Sequence, residues 1–129
     1  MITAGYAGVL GLLFLVLTVR VVRRRGTVKA ALGDGDDTQL RRRIRAHANF
    51  AEYVPLILVL MALIELQAEP IWFVHAVGLC LLAGRIVHAF SIVREPEVMA
   101  GRVAGMVLSM TALTLASVAG MASAFGLLG

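Results

Sequence analysis

The sequence has few charged residues and a single cysteine, and each scarcity excludes a class of protein. Only 16% of the 129 residues are charged, whereas 60% are hydrophobic and the mean hydropathy is +0.89. A soluble domain of this length cannot bury so much apolar surface. Cys80 lies inside an apolar run, cannot form an intrachain disulfide and is expected to serve packing. The composition therefore indicates an integral membrane protein with one domain, residues 1–129.

The placement of the basic residues excludes further classes. The net charge of +4 comes from arginines that flank apolar segments without interleaved aromatics, which disfavours nucleic-acid binding. No basic segment precedes the first apolar run, and the run ends in arginines, as is typical of an uncleaved membrane helix rather than a signal peptide. His47 and His88 lack a third ligand, so no metal site is expected.

Four long apolar segments predict an all-α membrane protein, a bundle of four transmembrane helices that run up, down, up and down. We expect the helices at about residues 2–23, 38–67, 70–93 and 97–127. The stretch rich in glycine and aspartate at residues 26–37 predicts a solvated loop. Either Asp37 or Thr38 is suited to capping the second helix, and Pro96 to the first turn of the fourth.

The distribution of Lys and Arg predicts the orientation. In a four-span bundle the loops after the first and third helices share one side, and all 12 Lys and Arg lie on or near that side. The turn from Glu65 to Glu69 has none. By the positive-inside rule both basic loops are cytoplasmic, and both termini lie outside.

Polar residues enter the second apolar segment instead of stopping at its edge. Arg45, Asn49 and Glu52 have the spacing i, i+4 and i+7, which places them on one face of a helix. Such residues usually face the bundle interior or a wet cavity, because burying them in hydrocarbon is costly. Counting residues from the outer ends of the second and third helices places Glu52 and Arg85 at the same depth. We therefore expect these two to form an ion pair.

Further polar residues extend this face into a pocket. His88 lies one turn beyond Arg85, and Arg102 lies in the first turns of the fourth helix, near its positive dipole end. The group predicts a cationic pocket for a small ligand that carries carboxylates and an amine. Structural explanations stay open: the arginines could serve topology, the histidines could be interfacial or capping residues, and Asn49 could bond another helix.

Small residues recur every four positions in the fourth helix. They allow close approach of a second helix, either within the chain or between copies, and both interpretations stay open. The residues are Gly101, Gly105, Ser109, Ala112, Ala116 and Gly120.

The segment Arg45-Ala-His-Ala-Asn49-Phe-Ala-Glu52-Tyr53-Val-Pro55 resembles the helix 2 signature of the membrane-associated proteins in eicosanoid and glutathione metabolism (MAPEG). The resemblance covers the whole chain, with four spans, a basic first loop, Gly84-Arg85 followed by His88, and Arg102 at the start of the fourth helix. Within the family, the chain is most similar to the short bacterial inner-membrane branch.

The resemblance implies a homotrimer in the bacterial inner membrane, in contact with lipid, that binds glutathione as a co-substrate between subunits near the cytoplasmic side. The implied reaction is conjugation of glutathione to a small lipophilic electrophile, or reduction of a peroxide. Arg102 would be the catalytic residue that activates the thiol. Either Arg20 or Arg23 would supply one ligand contact, and the other implied binding residues are Arg45, Asn49, Glu52, Tyr53, Arg85 and His88.

Three positions depart from the pattern of the enzymatic members. Ala48 stands where those members often have an arginine, and Ile92 and Met106 replace two tyrosines. Two alternatives therefore accompany the enzyme hypothesis: a non-catalytic membrane protein that keeps the fold, and a small proton-coupled exporter that uses Glu52.

Overall fold

The computed structural model describes residues 1–67 and 69–127, and four helices account for most of them. They are α1 (Ile2–Val28), α2 (Thr38–Leu66), α3 (Ile71–Ile92) and α4 (Met99–Ala124). Each is long and apolar enough to cross a membrane. The shortest, with 22 residues, rises about 33 Å, against a hydrocarbon core of roughly 30 Å. The prediction of an all-α protein with four transmembrane helices is confirmed.

The first helix is longer than predicted. It continues from the predicted end at residue 23 to Val28 and is terminated by Lys29, whose backbone is left-handed with φ 55°. The Arg25 side chain explains the extension, since its Nη1 donates to the carbonyls of Gly33 at 2.7 Å and Ala30 at 3.3 Å. These bonds satisfy carbonyls just beyond the helix end, so the loop begins at Lys29 instead of residue 26.

The second helix begins where the sequence predicted, with Asp37 as its cap. The Asp37 carboxylate accepts from the Leu40 backbone N–H at 2.7 Å. It also accepts two hydrogen bonds from the Arg24 guanidinium, at 2.9 and 2.7 Å. This Arg24 pairing, followed by the Leu40 bond, lowers the pKa of Asp37 to about 2. One carboxylate thus joins the end of α1 to the start of α2.

The prediction that Pro96 opens the fourth helix is wrong, because α4 begins at Met99. The preceding loop is held by tertiary contacts instead of helical ones. The Glu97 carboxylate pairs with Arg42 and Arg102. The Val98 backbone N–H donates to the carbonyl of Ser91 at 3.4 Å, which bends the chain back onto the end of α3.

Helices α1 and α2 are joined by aromatic contacts near the middle of α1 and by a polar contact at its start. Phe14 stacks against His47 and Phe50, with ring centroids 4.5 and 5.2 Å apart. At the start of α1, the Glu65 carboxylate accepts the backbone N–H groups of Ile2 and Thr3, at 2.5 and 2.8 Å. Those N–H groups have no partner within their own helix, so Glu65 serves as a cap supplied by a neighbouring helix.

Helices α3 and α4 approach closely at Gly84 and Gly105. A Cβ atom at Gly105 would lie 2.6 Å from the His88 backbone nitrogen and 2.7 Å from the Gly84 carbonyl oxygen. A Cβ atom at Gly84 would lie 2.7 Å from Ser109 Oγ. Gly105 and Ser109 therefore allow close packing of α4 within the chain. At these two positions the small-residue pattern serves contacts within the chain and not between copies.

The core lies between the four helices, and the outer surface is largely apolar. Leu10, Ile57, Leu81 and Ala112 are fully buried where the helices meet. Cys80 is half-buried and packs against this core as a free thiol. Apolar side chains on the outside are expected for a protein that faces lipid, where the exposed polar residues are the informative ones.

Candidate functional site

Arg85 is the most buried charged residue in the described part of the chain, with 1% of its surface exposed. Its Nε donates to Ser109 Oγ at 2.9 Å and its Nη1 to Asn49 Oδ1 at 2.5 Å. Its Nη2 is 3.4 Å from the Gly105 carbonyl oxygen and 3.6 Å from the Met106 sulfur. The guanidinium thus connects α2, α3 and α4 through neutral acceptors. We call Arg85, Asn49, Ser109 and Gly105 the Arg85 cluster.

The predicted ion pair between Glu52 and Arg85 is wrong. Glu52 instead faces outward with its side chain 51% exposed, and its Oε1 lies 3.8 Å from Arg45 Nη1. Arg45 is exposed to a similar degree, 54%. The partner found for Arg85 on α2 is Asn49, a turn away from Glu52.

The predicted ion pair fails because of the rotation of α2 about its axis, since the predicted depths of Glu52 and Arg85 along their helices do match. Glu52 lies 14 residues before the end of α2 and Arg85 lies 14 residues after the start of α3, about 21 Å in each case. Asn49 and Glu52, however, are separated by about 60° around the helix axis. Asn49 occupies the inner edge of the polar face, whereas Arg45 and Glu52 occupy its outer edge.

A second polar site lies at the end of the bundle that carries the loops 29–37 and 93–98. A cleft of about 260 Å³ opens there between the start of α2, the end of α3 and the start of α4. We call it the basic cleft, because four arginines line it together with one carboxylate. Its lining residues are Thr38, Arg41, Arg42, Arg45, Ile92, Glu97 and Arg102.

Glu97 is the carboxylate in the basic cleft. Its Oε1 accepts from Arg102 Nη1 at 2.8 Å, and its Oε2 lies 3.4 Å from Arg42 Nη1. The hydrogen bond from Arg102 holds the pKa of Glu97 below its ordinary value, so the group is ionised at neutral pH. Arg42 Nε is buried and has no hydrogen-bond partner among the described residues, which leaves a donor in the cleft wall unsatisfied.

The structure divides the predicted binding residues between the cleft, the outer face of α2 and the bundle interior. Arg45 and Arg102 line the cleft, and Glu52 flanks it through its pairing with Arg45. The others lie inside the bundle: Asn49 and Arg85 belong to the Arg85 cluster, Tyr53 packs against the core, and His88 is buried where α3 meets Gly105.

The two helix 1 arginines lie away from the lining of the cleft. The guanidinium carbon of Arg20 is 5.9 Å from the centroid of the Phe90 ring, and the Arg20 carbonyl accepts from Arg43 Nη1 at 3.1 Å. Arg23 is exposed on the outer surface of α1. Neither lines the basic cleft within this chain.

Three charged residues of the cleft were not among the sequence-based binding residues. Arg41 and Arg42 suit a topology signal by the positive-inside rule, but they also stand four and three residues before Arg45 and therefore share its side of α2. The third residue is Glu97, in the loop before α4. The sequence could have indicated the contact of Glu97 with Arg102, because Glu97 lies just before the helix that carries Arg102. Its contact with Arg42 could not be predicted, because it depends on tertiary structure.

An apolar groove of about 770 Å³ runs along the outward face of α4 and reaches the basic cleft. Arg102 lines both, so it is the residue where the two surfaces meet. The groove is otherwise lined mainly by apolar side chains, among them Met99, Met106 and Met110. Such a surface accommodates a lipid chain or a lipophilic molecule that arrives from the bilayer.

Comparison with known proteins identifies relatives along most of the chain. The sequence profile of the MAPEG family matches residues 3–122. Inner membrane protein YecN, from Escherichia coli strains K12 and O6:H1, is 40% identical over 90 residues, which cover 70% of this chain and 69% of the relative. Both findings confirm the resemblance first indicated by the segment from Arg45 to Pro55. This four-helix membrane protein belongs to the MAPEG family.

Proposed function

We propose that this protein is a homotrimer of the bacterial inner membrane that binds glutathione and joins it to, or uses it to reduce, small lipophilic molecules. The observation that carries the proposal is the ion pair of Arg45 and Glu52. Both residues lie in a membrane-spanning helix, yet both are half-exposed on its outer face beside a cleft lined by four arginines. Charges on such a face need polar surroundings, which a neighbouring subunit and a bound polar ligand would supply.

The groups around the cleft suit the chemistry of glutathione. Arginine side chains bind carboxylates through paired N–H donors, and glutathione carries two carboxylates. The Glu52 carboxylate is available for the amine, and the Asn49 amide for a polar group of the peptide. Tyr53, Arg85 and His88 lie behind these residues in the bundle and complete the proposed set.

Arg102 is the proposed catalytic residue. A thiol attacks an electrophile as its thiolate, and a nearby guanidinium lowers the thiol pKa. Arg102 lies near the start of α4, where the helix dipole adds positive potential. It also lies where the basic cleft meets the apolar groove on α4, so a polar thiol and a lipophilic partner would meet beside it.

The proposed orientation follows the positive-inside rule. The loops 29–37 and 93–98 would face the cytoplasm, where glutathione is abundant, and both termini would lie outside. The location in the inner membrane is supported by the relative YecN, which is named as an inner membrane protein. A mass measurement of the purified complex in detergent tests the trimer, and a monomeric mass would contradict it.

The decisive experiment measures glutathione binding by calorimetry to the purified protein. Arg45→Ala and Glu52→Ala should each weaken binding at least tenfold, because each removes a charged contact. Arg94→Ala is the matched control, since it removes an exposed arginine from the same end of the bundle without touching the cleft lining. Undiminished binding by both test variants would contradict the assignment of the site.

Catalysis is tested separately from binding. Arg102→Met should lose turnover with an aryl halide or a lipid hydroperoxide, and should weaken glutathione binding less than Arg45→Ala does. If the parent protein binds glutathione without turning over either class, the non-catalytic alternative replaces the enzyme. The exporter alternative is disfavoured because Glu52 lies on the outer face of α2 beside Arg45 instead of inside the bundle. Proton-driven uptake of a lipophilic cation into vesicles would reinstate it.

A further inference from the structure

We propose that Glu97 determines which ligands enter the basic cleft, because it acts as an internal carboxylate that occupies Arg42 and Arg102 until a stronger anion displaces it. This inference rests on the proposed function to the extent that it concerns the same cleft. It adds a residue that the family resemblance did not indicate, and it defines the ligand by its number of anionic groups.

The first support is the position of Glu97 between two helices. Its two carboxylate oxygens are directed to different arginines, Arg102 of α4 at 2.8 Å and Arg42 of α2 at 3.4 Å. This arrangement has the geometry with which a bound carboxylate would bridge the same two guanidinium groups. The side chain comes from the loop 93–98, so it can leave the cleft without moving a membrane-spanning helix.

The second support is the charge balance of the cleft. Four arginines line the cleft and Glu97 is the one carboxylate among its described lining residues, so the lining itself has three more positive than negative charges. Asp34 and Glu52 pair with Arg41 and Arg45 from outside the lining, which leaves Glu97 as the carboxylate shared by Arg42 and Arg102. An incoming ligand with one anionic group, such as sulfate, must replace Glu97 at the same two arginines and therefore gains little. A ligand with two carboxylates can displace Glu97 with one group and contact Arg41 or Arg45 with the other. The cleft should therefore select ligands with two separate anionic groups over ligands with one.

The neighbouring Glu95 supplies a matched comparison. It lies two residues away on the same loop, and its carboxylate is 3.8 Å from Arg42 Nε. Its side chain is 49% exposed, against 20% for Glu97, and it does not line the cleft. Glu95→Gln and Glu97→Gln make the same change in net charge, so any general electrostatic effect appears in both variants.

The experiment measures binding of glutathione and of inorganic sulfate to the full-length protein in detergent at low ionic strength, where charge interactions are least screened. Glu97→Gln should bind sulfate about five- to tenfold tighter than the parent, since two partly exposed ion pairs no longer compete. Glutathione should gain less, about two- to fivefold, because its second carboxylate already offsets the competition. Glu95→Gln should change either affinity by less than about twofold.

A double variant locates the effect at Arg102. If Glu97 acts by holding that guanidinium, Glu97→Gln should give a smaller gain in sulfate affinity in an Arg102→Met background than in the parent. Equal gains in both backgrounds, or equal gains from Glu97→Gln and Glu95→Gln, would overturn the inference. Thermal unfolding of each variant confirms that it is folded. Should Glu97→Gln fail to fold, Glu97→Asp retains the charge but withdraws it from Arg102, and should still raise sulfate affinity.

The outcomes separate this inference from the proposed function. If the parent protein binds no glutathione while Glu97→Gln still gains sulfate affinity, the glutathione assignment falls and the role of Glu97 stands. If the parent binds glutathione and Glu97→Gln raises the affinity for neither sulfate nor glutathione, the proposed role of Glu97 is refuted and the proposed function stands.

Discussion

Replacing Gly105 by alanine tests the contact between α3 and α4 on which the Arg85 cluster depends. The new methyl carbon would lie 2.6 Å from the His88 nitrogen and 2.7 Å from the Gly84 oxygen, whereas ordinary contacts begin at 3.4 Å. Both neighbours are backbone atoms, so no flexible side chain can give way. The helices must separate by about 0.8 Å, the difference between 3.4 and 2.6 Å.

The expected cost follows from two opposing effects. Forcing an extra methyl group into a filled contact costs about 1–3 kcal/mol. Alanine gains about 0.5–1 kcal/mol over glycine as a helix former. The net loss for Gly105→Ala then lies between about 0 and 2.5 kcal/mol, with a central value of about 1 kcal/mol. Gly11→Ala is the matched control, because it makes the same change in α1 where, outside the helix's own backbone, no atom of the described residues lies within 4 Å of the added carbon.

Thermal unfolding in one detergent, followed by circular dichroism, compares the two variants. Gly105→Ala should unfold at a lower temperature than the parent, and Gly11→Ala at the same or a higher temperature. Separation of the helices also lengthens the 2.9 Å bond from Arg85 to Ser109, so the Gly105 variant should lose glutathione affinity under the proposed function. Equal shifts for both variants would refute the close contact between Gly84 and Gly105.

Two further predictions concern polar contacts. Asn49→Leu removes the acceptor of a buried guanidinium and should destabilise the fold by about 1.5–3 kcal/mol. Asn49→Asp restores an acceptor and neutralises Arg85, so it should unfold at or above the parent temperature; a stable leucine variant would contradict the contact. The pKa of Asp37 is depressed to about 2. Asp37 therefore stabilises the fold fully at pH values above the ordinary aspartate pKa of about 4, and this stabilisation is lost as the pH falls toward 2. Asp37→Asn should reduce the loss of thermal stability between about pH 6 and about pH 2.5, and an unchanged loss would contradict the Asp37 bonds.

Properties that depend on position along a helix axis were predictable from the sequence. The four spans follow from the length of the apolar runs, and the cap at Asp37 follows from its side-chain chemistry. The matching depths of Glu52 and Arg85 follow from the helical rise. Helix ends were less predictable, because they depend on contacts outside the helix. Arg25 bonds to the loop after α1 and lengthens that helix, and Glu97 pairs with the distant Arg42, so α4 begins later than predicted.

The rotation of each helix was not predictable, because it depends on which side chains pack. A face defined by Arg45, Asn49 and Glu52 spans about 60° around α2, enough for its two edges to have different surroundings. Gly84 and Gly105 bring α3 and α4 together, and this contact turns Arg85 toward Ser109 and Asn49. Nothing in the spacing on α2 alone shows that α4 would compete for the Arg85 side chain.

The same rotation decides where a ligand can bind. If Glu52 had paired with Arg85 inside the bundle, the polar face of α2 would have been buried within one chain. The outer surface of α2 would then have been apolar and suited to lipid. Arg85 instead takes neutral partners, which leaves the Glu52 carboxylate and Arg45 on the outside of the bundle. Glu52 lies about 21 Å from the far end of α2. A carboxylate at that depth is stable only where protein or water surrounds it, since lipid cannot solvate it. The burial of Arg85 among neutral groups thus favours the proposed site between subunits over one enclosed within a single chain.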